Sequence, residues 1–104
     1  GDIILVEFPY SDNSVSKKRP ALVLLDTQDE DILLARITTQ IYNSAYDLTV
    51  ADWQTAGLLA PSCVRLHKIA TLSKHLIYKK LGSLITKDNE SVLKILQSLI
   101  NNIK

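Results

Sequence analysis

The chain has 104 residues, of which 46% are hydrophobic and 22% are charged, and its formal net charge at pH 7 is +1. This length suits one domain with a modest core, and no apolar stretch approaches the roughly 18 residues that a membrane-spanning helix requires. The single cysteine, Cys63, excludes an internal disulfide and a cysteine-based metal site, and the absence of a signal-peptide pattern favours a cytoplasmic protein.

Three strands are predicted in the first part of the chain. Residues 1–8 form a nearly continuous apolar run, typical of a strand, and residues 9–18 are rich in turn formers and predict a loop. A second strand is expected at about residues 20–25, because proline is tolerated at the first position of a strand. A third strand is expected at about residues 32–39. Alternation along it separates two sets of side chains: Leu33, Ala35 and Ile37 on one face, and Arg36, Thr38 and Gln40 on the other.

Shorter elements are predicted next. Residues 41–46 are polar and predict a loop, and residues 47–50 predict a short strand. Residues 51–56 are interpreted as one helical turn that ends at Gly57, because glycine commonly follows the last residue of a helix.

Two more strands are predicted before the final helix. A longer strand is expected from Pro61, and Cys63 within it is interpreted as a small core residue. The apolar phase changes after Lys68, which indicates a bulge. Residues 71–75 predict a turn, and residues 76–84 predict a further strand.

The chain is predicted to end in an amphipathic helix. Thr86 is the expected N-cap, and Asp88 and Glu90 follow in the first turn, where carboxylates favour the helix dipole. The apolar stripe of this helix consists of Val92, Leu96, Leu99 and Ile103, flanked by Leu93 and Ile100. The predicted fold is therefore mainly β with a C-terminal helix, in one domain that spans residues 1–104.

A hairpin between the second and third strands gives the first candidate site. We consider an antiparallel register whose turn is centred on the Gln28–Asp29 bond. Its pairs are Leu24 with Leu33, Asp26 with Asp31, and Arg19 with Thr38. Directly opposed residues lie about 4.5–5.5 Å apart at Cβ, so a guanidinium and a hydroxyl would project from one spot on the sheet.

Arg19 and Thr38 suit a phosphate ligand. The planar guanidinium binds phosphate oxygens through two donors and stays charged, and a threonine hydroxyl adds another donor. Lys17 and Lys18 lie beside Arg19 without a nearby acid, and Gln40 shares the face of Thr38, so all three are candidate contacts to a polyanion. The alternatives are a surface salt bridge for the arginine and an ordinary strand residue for the threonine.

The distribution of charge is more informative than the total. Residues 1–52 carry nine acids and four bases, whereas residues 53–87 carry no acid. The bases of this second segment are Arg65, Lys68, Lys74, Lys79, Lys80 and Lys87. Such a segment is typical of a polyanion-binding surface, with Arg65 and Lys68 as candidate phosphate contacts. A solvated, lysine-rich strand face is the alternative.

Taken together, these motifs resemble the MazF/PemK family of bacterial toxins. Four stretches in the order and spacing of the family carry the resemblance: Gly1 to Phe8, Lys18 to Leu24, Ile37 to Ile41, and Gly57 to Leu72, the last without Ala60. The resemblance implies a small SH3-like barrel of the CcdB/MazF type, a homodimer, and inhibition by a cognate antitoxin. It also implies sequence-specific, metal-independent cleavage of single-stranded RNA without a cofactor, and the family arginine and threonine map onto Arg19 and Thr38.

Other residues are weaker candidates. His67 could serve as a general acid, and His75 is a less favoured choice. Tyr46 and Trp53 could stack on bases, although a single tryptophan beside a strand is more often part of a core. The two histidines and one cysteine do not have zinc-binding spacing. Two other functions remain open: a non-enzymatic toxin of the same fold that poisons DNA gyrase, a topoisomerase, and an inactive SH3-like binding module.

Overall fold

The computed structural model describes residues 1–8 and 17–104, and within them it contains one six-stranded antiparallel sheet followed by a helix. The strands are β1 (Asp2–Phe8), β2 (Lys17–Leu25), β3 (Asp31–Thr38), β4 (Asp47–Thr49), β5 (Cys63–Ser73) and β6 (Ile77–Ser83), with α1 at Thr86–Asn101. The order of the described strands is β4-β5-β3-β2-β1-β6, and no pairing joins β4 to β6 among them, so the small barrel implied by the resemblance is not closed by hydrogen bonds there. The predicted class, mainly β with a C-terminal helix, is confirmed.

Both faces of the sheet bury apolar side chains, which explains the continuous apolar runs in the sequence. In β1, Ile3 enters one cluster and the adjacent Ile4 enters another. The first cluster includes Leu22, Leu66 and Val92, so α1 packs on this face of the sheet. The second cluster is built from Ile4, Val6, Ala21, Ile32 and Leu34.

Only part of the predicted apolar stripe of α1 reaches this core. Val92 is buried and Leu96 packs beside it, but Ile103 is 71% exposed. In the described part of the chain, no helix is long and apolar enough to cross a membrane.

Several predicted boundaries are wrong. Lys17 and Lys18 belong to β2 and not to the preceding loop, whose remaining residues, 9–16, lie outside the described part of the chain. β5 continues to Ser73, and a 3-10 turn at Lys74–Leu76 replaces the predicted turn at 71–75. Pairing of Asp31–Leu33 with Thr71–Ser73 keeps these β5 residues extended.

Residues 51–57 are too short for a regular helix, but the predicted single turn is present: the Ala56 amide donates to the Asp52 carbonyl at 3.2 Å, and Gly57 ends the turn with φ of +85°. The amides of Ala51 and Asp52 donate to the carboxylate of Asp88, at 3.0 and 3.3 Å, so these amides are satisfied from outside the segment. Thr86 is the first residue of α1 and not its N-cap, because the extended Ile85 precedes it and provides no side-chain cap. The buried Asp88 therefore ties the first turn of α1 to the segment that follows β4.

The predicted bulge in β5 is confirmed. Ala35 of β3 pairs with Ile69, whereas the next residue, Arg36, pairs with Arg65. The amide of Leu66 instead donates to the carbonyl of Tyr46 at 2.9 Å. The bulge therefore separates the part of β5 that pairs with β4 from the part that leads to β6.

Two glycines allow the segment after β4 to lie against β6. Gly57 has φ of +85°, and a Cβ atom there would overlap the carbonyl oxygen of Leu81. A Cβ atom on Gly82 would overlap the carbonyl oxygen of Ala56. The two backbones approach too closely for any side chain between them.

We expect Gly82→Ala to lower the free energy of unfolding by about 1–3 kcal/mol, because the added methyl group displaces packed backbone. Gly57→Ala should cost more, since it adds the strain of a positive φ. Urea denaturation measures both changes. Gly1→Ala is the matched control, because its Cβ would meet only the Asn89 side chain, at 3.2 Å. Equal stability of all three variants would contradict the close backbone contact.

Candidate functional site

Two rows of residues cross the sheet near the end of β3. The Arg36 row consists of Ala21, Arg36, Arg65 and Asp47, each directly opposite the next. The Thr38 row consists of Thr38, Cys63 and Thr49, and it gains Arg19 when the β2–β3 register is continued by two residues. Opposed residues share a face, and so do residues two apart on one strand, so both rows lie on the same face.

The predicted hairpin register holds from Ala21 to Val23 and fails near the turn. Ala21 pairs with Arg36 and Val23 with Leu34, as predicted, but a register shift then places Leu25 opposite Leu33. The predicted pair of Leu24 with Leu33 is therefore wrong. The predicted pair of Asp26 with Asp31 does not fit the shifted register either. The turn that causes this contains Gln28 at φ of +66°, whose amide donates to the Asp26 carboxylate at 2.8 Å.

The hydroxyl of Thr38 is oriented by its own chain. Its Oγ1 accepts a hydrogen bond from the backbone N–H of Gln40 at 3.2 Å. A hydroxyl that accepts one bond still has its proton to donate. Thr38 is half-buried at the end of β3, so this proton can be offered to a ligand above the Thr38 row.

Arg65 is held in an ion pair that the sequence analysis did not identify. Its Nε donates to Oδ1 of Asp47 at 2.9 Å, and the Asp47 side chain has no exposed surface. The Arg65 guanidinium also lies 3.6 Å from the centre of the Tyr42 ring. The charge of Arg65 is therefore neutralised, and its side chain fixes the loop that follows Thr38.

Asp47 remains ionised despite its burial. Burial raises the pKa of Asp47, but hydrogen bonds from Arg65 and from the hydroxyl and amide of Ser44 outweigh it and lower the pKa to about 2. The Ser44 hydroxyl donates to Oδ2 at 2.6 Å and the Ser44 amide at 3.0 Å. The carboxylate thus uses one oxygen for β5 and the other for the loop.

His67 lies away from Thr38. It lies in the bulge of β5, between Arg65, which is opposite Arg36, and Ile69, which is opposite Ala35, whereas Cys63 is opposite Thr38. Its Nε2 is 3.4 Å from Nη2 of Arg65, and its Nδ1 is buried without a hydrogen bond in the described residues. This arrangement does not favour a general-acid role. His75 lies farther still, in the 3-10 turn after β5.

The other candidates are spread around the site. Lys17, Gln40 and Lys68 are exposed, as is Lys18, whose ammonium lies 3.8 Å from the centre of the Tyr78 ring. The aromatic candidates have structural contacts. Trp53 packs against the core, and the Tyr46 ring lies 5.8 Å from the His67 ring. The prediction that Cys63 is a core residue is confirmed, because it is fully buried.

Half of the bases in the acid-free segment pair with acids of the first half. These ion pairs are Arg65 with Asp47, Lys74 with Asp26, and Lys80 with Asp2. Internal pairing therefore accounts for half of the bases in this segment. Arg36, by contrast, is exposed on the face of Thr38 and was not among the predicted site residues, although strand alternation placed it on that face.

Residues 1–8 and 17–104 contain no preformed set of metal ligands. No group of three or more histidine, cysteine, aspartate or glutamate side chains is close enough there to hold an ion. The chemical capacity of the site consists of arginine donors and hydroxyl groups.

We expect Asp47→Asn to destabilise the protein by about 3 kcal/mol at pH 7, because the variant leaves the largely buried Arg65 without its counter-ion. A carboxylate with a lowered pKa stabilises the fold above its unfolded pKa, near 4, and loses this effect as pH falls towards 2. The difference between wild type and variant should therefore shrink between about pH 4 and pH 2.

Urea denaturation across this pH range provides the measurement. Asp26→Asn is the control, because its ion pair with Lys74 is exposed to solvent and should contribute little to stability. Equal losses for the two variants would show that the Asp47–Arg65 pair has no special role.

Comparison with known proteins identifies the family and the fold of this chain. The profile of the family described as "PemK-like, MazF-like toxin of type II toxin-antitoxin system" matches residues 1–100. Among curated proteins, no sequence matches the chain.

Solved structures share the fold at low sequence identity. The Mycobacterium tuberculosis toxin MazF-mt6 superposes with a TM-score of 0.80 at 19% identity, over 100% of both chains. A mycobacterial endoribonuclease in complex with its cognate antitoxin gives 0.76 at 15% identity, over 100% of this chain and 95% of that one. Another mycobacterial endoribonuclease gives 0.76 at 14% identity, over 97% of this chain and 88% of that one. The family match covers nearly the whole chain, which therefore belongs to the PemK-like, MazF-like toxins of type II toxin–antitoxin systems.

Proposed function

We propose that this toxin is a sequence-specific endoribonuclease that cleaves single-stranded RNA, with Arg19 and Thr38 as its catalytic residues. The observation that supports the proposal is the pairing of Ala21 with Arg36 and of Val23 with Leu34. If this register is continued by two residues beyond Ala21, it sets Arg19 opposite Thr38. The similarity to mycobacterial endoribonucleases supports the same activity. We place the activity in the cytoplasm, where messenger RNA is translated.

In the proposed reaction, the 2′-hydroxyl oxygen of one nucleotide attacks the adjacent phosphorus. A bond forms between these two atoms, the bond from phosphorus to the 5′-oxygen of the next nucleotide breaks, and a proton passes in net from the 2′-hydroxyl to that oxygen. The products are a 2′,3′-cyclic phosphate and a 5′-hydroxyl. Negative charge develops on the phosphoryl oxygens as the phosphorus gains a fifth ligand.

In this proposal, Arg19 and Thr38 stabilise the negative charge that develops on the phosphoryl oxygens. The guanidinium of Arg19 binds two phosphoryl oxygens, and the hydroxyl of Thr38 donates its remaining proton to one of them. Because Arg19 supplies the positive charge, the proposed reaction needs neither metal nor cofactor. The exposed residues Lys17, Lys18, Gln40 and Lys68 are proposed RNA contacts, whereas Arg65 is a weaker one, since Asp47 already neutralises it.

Incubation of the purified protein with single-stranded RNA should give fragments ending in a 2′,3′-cyclic phosphate, with the same rate in excess EDTA. Mass spectrometry identifies the ends. Fragments with 5′-phosphate ends, or loss of cleavage in EDTA, would contradict the chemistry. An intact RNA would favour the gyrase-poison or binding-module alternatives.

The same assay tests the two residues. Arg19→Ala should abolish cleavage, and Arg19→Lys should restore little, because an ammonium lacks the planar fork. Thr38→Val should slow cleavage by about 10- to 1000-fold, the range for loss of one oriented donor. Thr71→Val, at an exposed position of β5 opposite Leu33, is the matched control and should cleave normally. The double variant should be hardly slower than Arg19→Ala, because the two residues act as a unit.

We further propose that the toxin is a homodimer and that a cognate antitoxin inhibits it. Two exposed apolar side chains of α1 support the dimer, Leu93 at 61% and Ile100 at 58% exposure, and Ile103, two residues beyond the end of α1, is 71% exposed. The spacing of Leu93 and Ile100 places them along one side of the helix. The antitoxin bound to the mycobacterial endoribonuclease supports the second partner.

Light scattering at micromolar concentration should give twice the mass of the chain. Ile100→Glu should halve that mass, since a buried carboxylate is costly at an apolar contact. Ser98→Glu, on the opposite side of α1, should leave it unchanged. A monomeric wild type would contradict the dimer, and an unchanged Ile100→Glu mass would place the contact elsewhere.

A further inference from the structure

Arg36 lies beside the proposed catalytic pair, Arg19 and Thr38, but the proposed reaction assigns it no role. It lies two residues before Thr38 on β3, on the same face, and its side chain is exposed. Its neighbours across the strands are Ala21 on one side and Arg65 on the other. A charged side chain at this point in the sheet therefore needs a physical explanation.

Two arginines directly opposite each other are unfavourable in an antiparallel sheet, because like charges repel across the pair. Asp47 removes this repulsion for Arg65, since the two form an ion pair with an Nε–Oδ1 distance of 2.9 Å. Arg36 has no such counter-ion: no carboxylate within residues 1–8 and 17–104 lies at ion-pair distance from it. The Arg36 charge is thus left available to an external anion, and Ala21 leaves room beside it.

The spacing of Arg36 fits a chain of phosphates. Residues two apart on a strand are about 6.8 Å apart, so Arg36 follows Thr38 at this interval. In the continued register Arg36 is the diagonal neighbour of Arg19, at about 7–8 Å. An RNA strand that places one phosphate between Arg19 and Thr38 therefore carries a neighbouring phosphate towards Arg36.

We propose that Arg36 binds the RNA phosphate next to the one that is cleaved. This inference rests on the proposed ribonuclease function and assigns to Arg36 substrate binding and not chemistry. Removal of the guanidinium should therefore raise KM and leave kcat unchanged. The Arg65–Asp47 pair contributes by keeping the neighbouring position neutral.

The first test compares Arg36→Gln, Arg36→Lys and the matched control Lys94→Gln, which removes one exposed charge from α1. Arg36→Gln should raise KM roughly tenfold and should weaken binding of an RNA that is 2′-deoxy at the cleavage position. Its log affinity should fall less steeply with log salt, by about 0.7. Arg36→Lys should restore most of the salt dependence, and Lys94→Gln should change none of these values.

The second test modifies the RNA and leaves the protein intact. A neutral methylphosphonate replaces the phosphate on either side of the cleaved one, in two separate substrates. One of the two should weaken binding to wild type as much as Arg36→Gln does, and should have no further effect on the variant. This pair of changes identifies the phosphate that Arg36 contacts.

The outcomes separate the inference from the function on which it rests. If wild type cleaves RNA but Arg36→Gln matches Lys94→Gln, or lowers kcat at constant KM, the inference fails and the proposed function stands. Equal effects of both methylphosphonates on wild type and variant would also overturn it. If wild type neither binds nor cleaves RNA, both proposals fall together.

Discussion

The antiparallel register between β2 and β3 is the constraint on which the site depends. Because side chains alternate along a strand, a slip of one residue would move Arg19 to the opposite face from Thr38. The register is fixed by burial on both faces, since Ala21 and Leu22 enter different clusters and neither tolerates exchange with the other. The register shift lies between Val23 and Leu25, on the side of the turn, so it leaves the end near Arg19 in place.

Ion pairs determine which charged side chains on the face of Thr38 are neutralised. Three acids of the first half of the chain, Asp2, Asp26 and Asp47, pair with bases of the second half, and the pair of Asp47 with Arg65 is the most buried. That pair also holds Tyr42 and Ser44, so the loop after Thr38 is anchored at two points. Within residues 1–8 and 17–104, Arg36 is exposed on the face of Thr38 and is in none of these ion pairs.

Local patterns were sufficient to predict the strands and the helix. The apolar runs of β1 to β3, the alternation of Val64 and Leu66 in β5, and the bulge after Lys68 all depend on residues close in sequence. They also predicted the register in which Ala21 pairs with Arg36 and Val23 with Leu34, and the pair of Arg19 with Thr38 is its continuation by two residues.

Contacts distant in sequence caused the errors. The Asp88 carboxylate serves amides that lie 36 and 37 residues earlier, and nothing near Asp88 in the sequence indicates this. The pairing of Arg65 with Asp47, 18 residues apart, likewise depends on the position of β4 beside β5. Arg36 was placed on the correct face, but its exposure depends on which neighbours are charged and which are paired.

The position of β6 has a consequence for the order in which the protein is assembled during synthesis. β6 pairs with β1, so the first described strand cannot complete its pairing until the last strand is available. The four strands that carry the two rows are available for pairing once Ser73 has emerged from the ribosome, before β6 and α1 have emerged. Until β6 emerges, β1 has one unpaired edge, and an unpaired edge is the feature of a nascent sheet most prone to association with other chains.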